Sequence, residues 1–276
     1  MHLLAALILS LLLTGNVYAN SQSKPLIFGI LPFSKPRILL KRFEPLQSLL
    51  AQKLGQNISV KTDIDFLTFK GNTKNGLYNI VLTAPHFVPA AVNSGHYILL
   101  TTTTNPLSAT VIMNSAGSLE QLMQMESPRV ATPPVNAFIS LIGKQHIAEL
   151  GLNNTKFKDY SSHNNAYHAV LRNRADAAII AVNVYNRAIG QNRPIKRVSE
   201  SPKYPGMVIL VRKDMPADQQ GLIKDILVSL GETNKGRTIL KKISYPGFKP
   251  AYPETFLPLE NILDVRNDHG REEELQ

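Results

Sequence analysis

Four short turns in this 276-residue chain carry side chains suited to holding a small oxyanion. They are Pro32-Phe33-Ser34, Thr83-Ala84-Pro85-His86, Thr132-Pro133-Pro134-Val135-Asn136 and Ser161-Ser162-His163-Asn164. Each follows an apolar strand and opens a helix, where the first amides lack intrahelical partners and the helix end carries about half a unit of positive charge. Thr83 offers a hydroxyl, and His86, beyond Pro85, offers a ring nitrogen. In the competing reading Thr83 caps the helix and His86 is simply exposed. Thr132 and Asn136 flank a third donor turn, although Pro133 and Pro134 remove two amides from it. His163 and Asn164 open the matching turn further along, unless His163 merely faces solvent. Phe33 supplies an apolar wall for a ligand body, or else an ordinary core ring.

Other chemistries find less support. His163 and His168 lie five apart, so on a helix they diverge, and no Cys or dense acidic cluster joins them; no metal site and no cofactor is expected. There is no Gly-x-Ser-x-Gly elbow for a nucleophile and no Gly-rich phosphate loop. The formal charge is +10, with 30 Lys and Arg against 20 Asp and Glu. That bias favours anionic partners. The basic residues are scattered rather than striped, and no nucleic-acid-reading motif accompanies them, so nucleic acid is not expected as a partner. Lys41-Arg42, Lys241-Lys242 and Arg193 to Arg197 read as solvated faces, with a lesser chance that some meet a membrane-embedded partner or an anionic lipid surface.

The elements that position these turns alternate from end to end. Apolar strands at Leu26 to Leu31, Ile58 to Ile64, Tyr78 to Thr83 and Tyr97 to Thr101 interleave with helices at Arg37 to Leu54 and Phe87 to Asn93. Ala109 to Met113 then crosses into a second unit. It holds helices at Leu119 to Met125, Asn136 to Leu150, Asn164 to Asn173 and Val184 to Ile189, with strands at Arg129 to Ala131, Phe157 to Tyr160 and Ala177 to Val182. Met207 to Val211 returns, and helices Ala217 to Leu230 and Lys235 to Ile243 pack back on the first unit. This is an α/β pattern with largely parallel sheets. Two crossings make one lobe discontinuous (24–106 and 207–262) and the other inserted (107–206), with hinges near Asn105 and Pro205.

The termini predict export. Leu3 to Leu13 is apolar apart from Ser10, and Val17-Tyr18-Ala19 places small residues where a signal peptidase reads, so 1–19 is expected to be a cleaved signal peptide. The run is too short to span a membrane. With no Cys in the chain, neither a lipid-anchored Cys nor a disulfide is available. The tail 263–276 is too polar to bury and is expected to be disordered.

Phe28-Gly29-Ile30-Leu31-Pro32-Phe33, Arg42-Phe43-Glu44-Pro45-Leu46, Tyr78 to His86, and His163 to Val170 followed by Arg174-Ala175-Asp176-Ala177-Ala178 together resemble the phosphate/phosphite/phosphonate ABC-transporter substrate-binding family, over about Pro25 to Phe248. The resemblance implies a type II periplasmic-binding-protein fold, two α/β lobes joined by a two-strand hinge, with a small, anionic ligand in the cleft and no catalysis. It implies a monomeric periplasmic receptor that closes over its ligand for an ABC permease. The alternatives are a sensory input to a membrane kinase or cyclase and a secreted enzyme on the same scaffold. Phosphonate-binding relatives place a His on the ligand at the position of His163. Phosphonate binders commonly grip the anion with a Ser/Thr-rich turn where this chain has Thr132-Pro133-Pro134-Val135-Asn136, and binders of aminoalkylphosphonates also place a carboxylate where this chain has Asn183. Both departures weaken the case for a phosphonate and especially for an aminophosphonate, and leave a different oxyanion or a neutral ligand open.

Overall fold

The computed structural model describes residues 24–262. The predicted signal peptide and polar tail therefore lie outside the described residues.

Strand β1 (Leu26–Ile30) leads through the Pro32-Phe33-Ser34 turn into α1 (Pro36–Leu54). Pro36 enters the first turn of the helix, where its missing N–H costs nothing. Leu39, Phe43, Leu46 and Leu50 form one buried stripe along α1. Gly55 ends the helix in the left-handed region at φ 62°, donating its amide to the Ala51 carbonyl. After β2 (Ile58–Lys61), a helix α2 (Phe66–Lys74) is capped by Asp65, which accepts from the Thr68 amide at 2.7 Å. Then come β3 (Ile80–Thr83), α3 (Val88–Asn93), β4 (Tyr97–Thr103) and the crossing strand β5 (Ala109–Asn114). The second unit runs α4 (Leu119–Met123), β6 (Arg129–Thr132), α5 (Phe138–Glu149), β7 (Lys156–Asp159), α6 (His163–Leu171), β8 (Ala177–Ala181), α7 (Val182–Gly190) and β9 (Ile195–Glu200). The return strand β10 (Val208–Arg212) is followed by α8 (Ala217–Val228), α9 (Asn234–Ile243) and β11 (Phe248–Pro250).

Two sheets result, ordered β11-β4-β10-β3-β1-β2 and β7-β6-β8-β5-β9. In each, the strand that arrives from the other unit sits beside a parallel trio and runs antiparallel to it: β10 against β3, and β5 against β8. The sheets are therefore mixed rather than largely parallel. The reason is geometric: a chain entering from the neighbouring lobe starts at the edge where the local strands finish, so it must run the opposite way. Strands such as β3 and β8 are buried along their whole length, as expected where both faces of a sheet are covered.

The second strand stops at Lys61 rather than Ile64, and Asp65 instead caps a helix the apolar pattern did not announce. The strands β9 and β11 were likewise not anticipated. Helix α5 begins at Phe138, two residues later than Asn136. Among the described residues no helix is long and apolar enough to cross a membrane.

The two units meet at paired crossovers. Leu107 and Tyr204 exchange both backbone hydrogen bonds, at 2.9 and 2.8 Å. Gly206 packs so tightly that an added Cβ would lie 2.1 Å from the Thr103 hydroxyl and 2.7 Å from the Asn105 carbonyl.

Candidate ligand site between the lobes

A cavity of about 500 Å³ opens between the two sheets, with Asn105, Leu107 and Met207 of the crossovers on its wall. Strand-to-helix turns converge on it from both sides. From the first lobe come Leu31, Phe33 and Ser34, with Ile38 and Arg42 on successive turns of α1. From the second come the starts of α5, α6 and α7, contributed by Ala137 to Ile139, Ser162 to Asn164, and Ala181, Asn183 and Val184.

The three helix starts give the second lobe its donors. Ala137, the residue preceding α5, has no capping side chain, and its carbonyl already accepts from Ser140 and Leu141. The amides of Phe138 and Ile139 thus stand at the open end of a twelve-residue helix. Pro133 and Pro134 lie before this start: their carbonyls accept from the Ser140 hydroxyl and the Ala137 amide, respectively. The two missing N–H groups are therefore taken from the lead-in and not from the helix end that faces the cavity. In α6 the Ser162 hydroxyl accepts from the Asn165 amide at 3.2 Å, which leaves the first amides of the helix at the cavity rim.

His163 has a defined tautomer. Its Nδ1 accepts from the Ala181 amide at 3.2 Å, so in the neutral ring the proton sits on Nε2. Burial, and then the nearby Arg187 guanidinium, push its pKa down to about 4. At neutral pH the ring is an uncharged donor.

Of the residues singled out from sequence, Phe33, His163, Asn164 and Asn183 line the cavity, whereas Thr83, Pro85, His86, Thr132 and Asn136 do not. Thr132 is fully buried and gives its hydroxyl to Asp159. Thr83 is buried against α2 and α3, beside Phe69, Lys70 and Phe87. It does not cap the following turn, whose preceding residue is Ala84. His86 is not exposed in the least: its ring stacks on Phe138 of the other lobe at 5.1 Å with a 16° interplanar angle. Phe138 in turn meets Tyr204 edge-on at 5.4 Å. Neither His86 ring nitrogen makes a well-formed hydrogen bond. Burial drives its pKa down to about 3, against an opposing pull from the Asn136 backbone and with a small further push from Lys70.

Two residues not anticipated as ligand contacts complete the lining. Arg42 was expected on a solvated face with Lys41, yet it is half-buried and faces the cavity. Arg187 follows Asn183 by four residues on α7 and precedes Gln191, just past the helix end, by four, and all three line the cavity. That spacing is a signal visible in the sequence. Neither arginine has a carboxylate partner among the described residues, and no Asp or Glu among them lines the cavity. No cluster of three potential metal ligands occurs among the described residues either.

Two mixed α/β lobes, two crossovers and a donor-lined cleft between them define a solute-binding protein of the periplasmic type. The chain belongs to the family described as ABC transporter, phosphonate, periplasmic substrate-binding protein, whose model matches residues 28–256. Solved structures share the fold. A binding protein component of an ABC phosphonate transporter from Pseudomonas aeruginosa superposes with a TM-score of 0.72 at 19% identity, covering 87% of this chain and 85% of that one. PhnD1 from Prochlorococcus marinus, in complex with methylphosphonate, gives 0.77 at 15% identity over 88% and 98%. XAC2383 from Xanthomonas citri, bound to ATP, gives 0.74 at 14% over 90% and 99%. No curated protein sequence matches this chain.

Proposed function

We propose that this protein captures a phosphonate or phosphate-type oxyanion in its interlobe cavity and hands it unchanged to an ABC permease, the lobes closing about the paired crossovers. The observation that carries this reading is the make-up of the cavity: three helix starts, the Nε2–H of His163 and two arginines face it, with no carboxylate among the described residues of its lining. An anion there meets donors and positive charge from both lobes, whereas a cation meets two arginines and no counter-charge among the described residues of the lining. The solved relative holding methylphosphonate supports the same ligand class. Closure follows if contacts to both lobes exist only in the shut form, since a ligand shifts an equilibrium only by its differential affinity for the two states.

The test is a thermal-shift and calorimetric comparison of phosphate, methylphosphonate, larger phosphonates, alkylsulfonates and amino acids on the mature chain. A ligand present at 100 times its Kd adds about 2.7 kcal/mol of stability. Binding of a phosphonate or of phosphate with unit stoichiometry and no turnover is the expected result. Selective binding of an amino acid, with no response to any phosphorus oxyanion, would remove this reading.

A further inference from the structure

We propose that the ligand carries two anionic ends joined by an apolar body, the phosphonate or phosphate lying against the second lobe and a carboxylate lying against Arg42 of the first. The proposal rests on the anion-binding reading above and narrows it.

Three observations lead there. The cations are divided between the lobes. Arg187, on α7, lies close enough to His163 to add to the effect of burial in disfavouring its protonation, whereas Arg42, on α1, lies near the hydroxyl of Tyr245, which burial keeps protonated and Arg42 only partly offsets. The first neighbourhood also contains the starts of α6 and α7, the donor set that suits a tetrahedral oxyanion. The second has one guanidinium, with Tyr245 and Ser244 just past the end of α9. A planar fork of N–H donors matches a carboxylate in bidentate fashion.

The size is the second observation. About 500 Å³ falls in the range of roughly 300–1,000 Å³ typical of sites for drug-sized ligands. A bare oxyanion seated at the second lobe would leave much of that space, and Arg42, without a partner. Phe33, Phe66, Phe138 and Val184 line the same cavity and present the apolar surface an organic linker needs.

The third is the missing acidic residue. Arg42 is half-buried and has no carboxylate partner among the described residues. Closing the lobes over a ligand with a single anionic end at the second lobe would desolvate Arg42 as an uncompensated cation, which is costly. An ammonium group at the far end of the ligand would add repulsion from Arg42 to that cost.

The experiment is titration calorimetry with three probes of matched length: 3-phosphonopropionate, propylphosphonate and 2-aminoethylphosphonate. We expect 3-phosphonopropionate to bind at least about tenfold tighter than propylphosphonate, about 1.4 kcal/mol, and 2-aminoethylphosphonate to bind weakest. Arg42→Gln should collapse the ratio of the first two affinities to within about threefold, while Arg187→Gln should weaken both together. Equal affinity of the wild-type protein for 3-phosphonopropionate and propylphosphonate overturns the two-ended ligand but leaves the oxyanion reading standing. Preference for the amine overturns it as well. If methylphosphonate and phosphate also fail to bind, both readings fall together. The wild-type ratio decides the matter even if the variants do not fold.

Discussion

His163 shows how much one backbone amide decides. Because Ala181 donates to Nδ1, the ring can turn only Nε2–H toward the cavity, and burial keeps that ring neutral down to about pH 4. His163→Ala removes a donor that the helix start cannot replace, and calorimetry should show affinity for the best phosphonate or phosphate ligand lowered by about tenfold or more. His163, Asn164 and Phe33 were legible in the sequence because turn chemistry is local: a residue just past an apolar strand, at the first turn of a helix, points where the sheet ends. Asn183 was reached only through the family resemblance. Arg42 was not. It lies beside Lys41 at the edge of an apolar stripe and looks like half of a solvated pair until Tyr245, far later in the chain, packs near it at the cavity. The failure of Thr83 and His86 to reach the cavity has the same origin in reverse, since the covering by α2 and by Phe138 that buries them comes from residues distant in sequence or from a helix without periodic pattern.

Elements with a buried stripe or a buried run were readable, and those held by a cap or by one edge were not. Helix α2 buries only Phe69 and Thr73, so its pattern offers no stripe, and the Asp65 cap defines its start. Strand β9 pairs at one edge of its sheet and is largely exposed over Lys196 and Arg197, which is why its charges read as a solvated surface. Strand β11 has three residues and ends in proline, tolerable only at the sheet edge where β4 is its single neighbour. Where the sheet is crowded, the constraint is sharper. The Cα of Gly29 in β1 faces the Tyr78 ring, which an added Cβ would approach to 2.4 Å. Tyr78 is fixed there by stacking on Phe69 at 5.3 Å, by the Asp63 carboxylate, and by the Tyr97 hydroxyl, which donates to its carbonyl at 2.9 Å. Gly29→Ala should therefore lower stability by about 1–3 kcal/mol, as overpacking does. Chemical denaturation would show it as a lower midpoint with an unchanged slope.

At the scale of the whole molecule, the lobes touch through His86, Phe138 and Tyr204, and that contact is sensitive to protons. A buried His86 with its pKa near 3 stays neutral where an exposed ring, near 6.5, takes up a proton. Above about pH 6.5 both forms are neutral and the contact is unaffected. As the pH falls from about 6.5 toward 3, the form in which the ring is exposed binds the extra proton and gains, so stability is lost across that window. His163 acts in the same sense down to about pH 4. Melting temperatures should fall between pH 7 and 5, and His86→Phe, which keeps a ring on Phe138 without a titrating nitrogen, should flatten the decline. An equally steep fall in that variant would clear His86 of the role. The doubly bonded pair Leu107 and Tyr204 has a mechanical corollary. Two tethers locked in register cannot slip past one another, so sliding and swivelling are suppressed and the remaining freedom is a bend. If the lobes open and shut about these crossovers as proposed, the degree of opening becomes a single coordinate.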